Sequence, residues 1–240
     1  PSSLNQLFIV IYMVNDINVL IDFDVRSSFF KTAIRFIDYE LIEGDIFEFG
    51  VYTGRSLALL SHFHEKSKQS IHKIDFNRNI VGFDSFDGLP ESDNHPRWKK
   101  NMFGVNHSYH PTCKIGDKVT PDTIYHLFET YNLPKPNIEV GDFSYTLDCV
   151  IPSKYKKAAL VHIDCDLYES TKIVLNKISP IIQEGTLLAF DDWFNFKGNK
   201  NKGEQKAFYE YFGSQSKWNY VEYQTYATFG KSFIVTNNIS

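Results

Sequence analysis

The stretch DIFEFGVYTGRS, residues 45–56, decides how the chain is built. A short β-rich run ends at Gly50, a second glycine follows at Gly54, and helical character begins directly after it. A strand that turns through glycine into a helix is the start of a βαβ unit. Four further runs repeat the pattern downstream: NIVGFDS (79–85), NIEVGD (137–142), ALVHIDCD (159–166) and GTLLAFDD (185–192). The alternation predicts an α/β fold, a mostly parallel sheet with helices on both faces. The C-terminal part differs, because NYVEYQTY (219–226) and KSFIVT (231–236) are separated only by ATFG. That link is too short for a crossover, so the two form a hairpin and add an antiparallel strand at one edge. Upstream, FFKTAIRFIDYEL places Phe30, Ile34, Ile37 and Leu41 at helical spacing, and residues 1–43 are expected to form a helical N-terminal cover.

Composition narrows the function. Of 240 residues, 42% are hydrophobic and 22% charged, which is globular and excludes a disordered chain. With 25 basic against 29 acidic side chains and no strongly basic stretch, nucleic acid is not an expected partner. The apolar run LFIVIYMV (7–14) is cut by Asn15 and Asp16, well short of the ~20 residues that span a bilayer. No basic segment precedes it, so neither a membrane anchor nor a signal peptide is expected. The chain opens on Pro1 rather than Met, so no terminus is read from that position. Cys113, Cys149 and Cys165 are odd in number and lack C-x-x-C spacing, which points to a reducing cytoplasm, with neither a disulfide framework nor a structural zinc.

Open α/β sheets bind ligands beyond the carboxyl ends of their strands, and those ends carry the candidate residues. Glu48, Gly50 and Gly54 form an E-x-G-x-x-x-G turn, where glycine permits close approach of a ligand and the following helix offers free N–H groups. The same spacing also suits a packing turn. Asp84 ends the second run, where a carboxylate can accept from the vicinal hydroxyls of a ribose. Asp142 ends the third, placed for an adenine amino group, with Phe143 beside it as a ring contact or a core residue. Asp164 and Asp166 end the fourth run and Asp191 and Asp192 the fifth. Carboxylates gathered in one crevice repel one another, and a hard divalent cation (magnesium, manganese or calcium) relieves the repulsion; solvated helix-capping aspartates are the alternative. His162, inside an apolar strand, reads as a packed core histidine. Residues 91–119 carry no clean period and contain His95, His107 and His110, which predicts a long loop or lid with exposed histidines.

The segments GDIFEFGVYTGRS, GFDSFDGLPE, HIDCDLYEST and GTLLAFDDW together resemble the macrocin O-methyltransferase (TylF-like) family of class I S-adenosylmethionine-dependent methyltransferases. The resemblance spans about residues 26–235 with gaps. It implies a Rossmann-like seven-stranded sheet of order 3-2-1-4-5-7-6, with residues 44–240 as the cofactor-binding domain; the 91–119 lid comes from the reading above, and 103–119 does not match the family's lid. By position, it implies S-adenosylmethionine contacts at Glu48, Gly50, Val51, Gly54, Ser56, Asp84 and Ser85, joined by Asp142 and Phe143 from the reading above. It implies metal ligands at Asp164, Asp191 and Asp192, and a general base at Asp166. The expected partner is a small-molecule acceptor, a sugar or other polar metabolite bearing the hydroxyl, and a homo-oligomer is left open. Two other readings stay open: a D-x-D metal-dependent nucleotide-sugar glycosyltransferase using Asp164 and Asp166, and a non-catalytic nucleotide-binding module.

Overall fold

The computed structural model describes residues 16–70, 77–91, 98–215 and 217–237. The apolar run at 7–14, His95 and part of the lid segment lie outside them. The β-rich runs form strands β1 (Asp45–Phe49), β2 (Ile80–Asp84), β3 (Asn137–Val140), β4 (Ala158–Ile163) and β5 (Leu187–Phe190), with the C-terminal hairpin as β6 (Trp218–Tyr226) and β7 (Gly230–Asn237). They build one seven-stranded sheet of order 3-2-1-4-5-7-6. Strands β1 to β5 are parallel and β7 is antiparallel to β5. The order reverses between β1 and β4, so the crevice opens above the carboxyl ends of those strands.

Period-two alternation divides the core between the two faces of the sheet. Phe47 and Phe49 of β1 point to one face, joining Phe83, Val161, Phe190 and Phe208. Ile46 points to the other, with Leu160, Ala189 and the helices α1 (Ile17–Phe23), α2 (Ser27–Tyr39) and α3 (Arg55–Ser70). Helix α2 is the amphipathic segment expected from its spacing: Phe30, Ile34 and Ile37 are buried. Leu41 departs from that expectation. It lies past the helix end with φ +54° and is 59% exposed, because the chain turns at Glu40 to enter β1. Four more helices, α4 (Pro121–Thr130), α5 (Phe143–Lys154), α6 (Tyr168–Ile178) and α7 (Gly203–Glu210), complete the layers. Among the described residues no helix is long and apolar enough to cross a membrane.

Glu48 is the polar exception on the face that α2 covers. It pairs in register with His162 of β4, both are fully buried, and Glu48 Oε1 lies 2.8 Å from His162 Nδ1. Phe30 closes over the imidazole edge-on, with ring centroids 5.1 Å apart. A buried carboxylate without a partner would be costly, and the histidine supplies one.

Candidate active site

A cavity of about 880 Å³ lies at the carboxyl ends of β1, β2, β3, β4 and β5. Pockets of this size hold cofactors and small substrates. Its floor begins at Gly50, which has φ +89° and no room for a side chain: a Cβ there would sit 1.9 Å from the carbonyl oxygen of Asp164. The turn beyond it is held by Asp84, whose Oδ2 accepts from Val51 N (2.8 Å) and Tyr52 N (2.9 Å). Asp84 Oδ1 accepts from Phe86 N at 2.8 Å. These two N–H groups of the turn are therefore occupied by a carboxylate and are not open to a ligand phosphate.

Gly50, Asp84, Ser85, Asp142 and Phe143 all line the cavity. Asp142 also caps α5, accepting from Ser144 N at 2.8 Å. Phe143 packs edge-on against Phe49, so it is both a core and a cavity residue. The other residues expected to touch the cofactor do not reach the cavity wall. Glu48 is turned to His162, Val51 is buried and contributes its N–H to Asp84, and Gly54 packs against Ile124 of α4. Ser56 is buried in the first turn of α3. The motif builds the wall from behind, and only part of it faces a ligand.

On the opposite side Asp164, Asp166, Asp191 and Asp192 converge. Asp166 has φ +61°, a conformation that strains a non-glycine residue and turns its carboxylate inward, leaving it 9% exposed. Burial and the charge of Asp164 push its pKa up to about 8. Burial and the charge of Asp191 raise Asp164, while burial and Asp166 raise Asp192. Asp191 is the exception: although buried, it is held low by Arg26 and His162. Burial alone would lower His162, but Asp191 and Glu48 outweigh it and carry its pKa to about 10.

Sequence reading did not find three contributors. Glu204 of α7 is 1% exposed and accepts from Asp192 N at 3.0 Å, adding a buried carboxylate to the cluster. His162 is the core histidine expected, yet its Nε2 also lies 3.6 Å from Asp191 Oδ1, and ligand atoms of His162, Asp164 and Asp191 fall within 4.8 Å of one another. Arg26, at the start of α2, donates to Asp164 Oδ2 at 2.8 Å and lies 3.4 Å from Asp191 Oδ2. None of the three has a local signal, since their neighbours come from other elements.

Residues 105–112 of the segment after β2 are anchored to the β1–α3 turn. Tyr52 Oη accepts from His107 N at 2.7 Å and donates to the Val105 carbonyl at 3.1 Å. His110, expected to be exposed, is 7% exposed and lies 3.0 Å through Nε2 from the Thr53 carbonyl, while its Nδ1 accepts from Thr112 N. His107 is exposed and lines the cavity, together with Trp98, Met102 and Phe103. Burial lowers the pKa of His110 to about 4, and does the same to His64 on α3, which has no hydrogen-bond partner among the described residues. Above about pH 6.5 these rings are neutral folded or unfolded and add no pH dependence. Between that pH and about 4 only the unfolded chain takes up the protons, so stability falls by roughly 3 kcal/mol per ring. Urea denaturation from pH 7 to 4.5 is expected to show this decline. His64→Phe, which removes one such ring, should reduce the decline by about 2 kcal/mol.

A family model described as macrocin O-methyltransferase (TylF) matches residues 24–210. The chain belongs to this family. It is therefore an O-methyltransferase, and the match covers both strand ends that carry the aspartates as well as Arg26 and Glu204. Among solved structures, the O-methyltransferase NovP superposes with TM-score 0.64 at 20% identity, over 88% of this chain and 80% of its own. CalS11, a TDP-rhamnose 3'-O-methyltransferase of calicheamicin biosynthesis, gives 0.59 at 22% identity, covering 87% and 78%. An O-methyltransferase from Bacillus cereus in complex with SAH gives 0.57 at 16%, covering 99% and 92%. At these identities the likeness is one of fold. Comparison with curated proteins finds no match.

Proposed function

We propose that this O-methyltransferase moves a methyl group from S-adenosylmethionine to a hydroxyl of a sugar or another small polar metabolite, with a divalent cation at the acidic cluster. The observation that carries the reading is the convergence of two half-sites in one cavity. Gly50, Asp84, Ser85, Asp142 and Phe143 form one wall, and Asp164, Asp166, Asp191 and Asp192 form the other. The first wall fits a cofactor without a pyrophosphate, because Asp84 occupies the turn's amides. Membership of an O-methyltransferase family disfavours both alternatives. SAH in the Bacillus cereus structure and TDP-rhamnose in the name of CalS11 agree with such a cofactor and with a sugar acceptor.

The second wall fits a hard cation. Asp191 Oδ1, Asp192 Oδ2, Glu204 Oε1 and His162 Nε2 are buried without hydrogen-bond partners among the described residues. Asp164, Asp191 and Asp192 would hold the ion, and Glu48 fixes the His162 ring beneath them. S-adenosylmethionine supplies an already activated methyl, and a divalent cation supplies positive charge that acidifies an acceptor hydroxyl. The residues do the rest: the two walls align acceptor oxygen and methyl, Asp166 receives the hydroxyl proton, and Trp98, Met102 and Phe103 exclude water from above.

Isothermal titration with S-adenosylhomocysteine, the demethylated product, and separately with uridine and guanosine diphosphate sugars checks the reading. Binding of the first alone, together with methyl transfer that stops in excess chelator, is the expected result. Tight binding of a nucleotide sugar with none of S-adenosylhomocysteine would favour the glycosyltransferase. Full turnover in chelator would remove the cation from the proposal.

A further inference from the structure

The acidic cluster already contains a cation of its own. Arg26 stands at the turn between α1 and α2, and its side chain is 15% exposed. Asp24 grips it through two contacts, Nε to Oδ1 and Nη2 to Oδ2, both 2.9 Å. This leaves Nη1 directed at the strand ends, 2.8 Å from Asp164 Oδ2 and 3.4 Å from Asp191 Oδ2. The guanidinium carbon also lies 5.7 Å from the centroid of the Phe30 ring, the ring that covers His162. The fork is thus fixed at its base, and its tip occupies lone pairs on two of the three carboxylates that fit a metal.

Two features show that this neutralisation is incomplete. Glu204, 1% exposed, carries an Oε1 with no hydrogen-bond partner among the described residues, beside the same cluster. Asp192 Oδ2 likewise lacks one. Arg26, offset by Asp24, and His162, offset by Glu48, cannot balance Asp164, Asp166, Asp191, Asp192 and Glu204, so room for further positive charge remains. An ion entering there would meet Arg26 as a like charge, on the same oxygens.

We propose that Arg26 is a tethered competitor of the metal: it holds Asp164 and Asp191 when no ion is present, gives way when one binds, and so weakens the site's affinity. This rests on the cation assigned above. It makes Arg26 a positioning residue that sets metal affinity, and it couples ion loading to the α1–α2 turn.

The test measures metal binding itself. Metal-stripped wild type, Arg26→Gln and Arg26→Lys are titrated with Mn²⁺, free ion being read by electron paramagnetic resonance, and each protein is melted with and without Mn²⁺. Arg26→Gln is expected to bind Mn²⁺ at least about tenfold more tightly than wild type, equivalent to about 1.4 kcal/mol. It should melt lower than wild type in chelator and gain more from Mn²⁺. Arg26→Lys keeps the charge without the fork and should fall between them. If Arg26→Gln folds only with Mn²⁺, exchange of one countercation for the other is seen directly. If it folds in neither condition, Arg26→Lys decides: binding no tighter than wild type overturns the proposal. Equal or weaker Mn²⁺ binding by a folded Arg26→Gln, with an equal melting shift, also overturns it. That outcome would leave the cation reading intact, whereas absence of Mn²⁺ binding in every protein would remove both.

Discussion

Asp166→Asn is expected to lower kcat by about 10²- to 10⁴-fold, the range that a positioned proton acceptor contributes, while Mn²⁺ and S-adenosylhomocysteine still bind. The carboxylate faces the cavity from a left-handed turn, beside Asp192. An Asn amide preserves that shape and can donate to Asp192, but it cannot take a proton. Asp164 is arranged differently: it directly follows Ile163, the last residue of β4, and meets Arg26 and Asp191. Asp164→Asn should therefore lose Mn²⁺ affinity together with turnover. Single-turnover rates and Mn²⁺ titrations of both variants separate the roles. Equal loss of metal binding would make Asp166 a ligand and move the base to His107, which also faces the cavity. His110 cannot take that role, since both its ring nitrogens are engaged with backbone groups of Thr53 and Thr112.

Gly50→Ala should remove most of the folded protein. The position combines φ +89° with a Cβ that would lie 1.9 Å from the Asp164 carbonyl oxygen and 2.7 Å from its carbonyl carbon. Backbone cannot rotate aside as a side chain can, so the ends of β1 and β4 would have to part, and these are the strands between which the cavity opens. A cost above about 4 kcal/mol is expected, a large fraction of the stability of an ordinary domain. Gly54→Ala is the matched comparison. Its φ of +82° carries a similar backbone penalty, but the new methyl would meet the Ile124 side chain, with Cδ1 at 2.9 Å, and a side-chain end can move. Urea midpoints should drop much further for Gly50→Ala than for Gly54→Ala. Comparable losses would show that backbone strain, not the approach of β4, explains the glycine at 50.

These two positions mark the limits of sequence reading. Gly50, Asp84, Asp142, Asp164, Asp166, Asp191 and Asp192 could be placed at strand ends because the period of a strand and the glycine that stops it are local properties. The parallel sheet and its terminal hairpin follow from the same local signals, and the strand order came from family resemblance and matches the observed one. What a side chain faces is not local. Glu48 and Asp84 each lie at or near the end of a predicted strand, yet one is buried against His162 and the other spends its carboxylate on the Val51 and Tyr52 amides. His110 lies in a stretch with no period, and only its return to Thr53 buries it. Arg26 and Glu204 reach the cluster from helices α2 and α7, at the two ends of the chain. Their charges have meaning only beside carboxylates distant in sequence. The sequence by itself determined the elements, because hydrophobic period and glycine placement are written in consecutive residues. Tertiary structure alone decided the balance of charge in the cavity, because the energy of a buried ion depends on which opposite charges packing brings within a few ångströms of it.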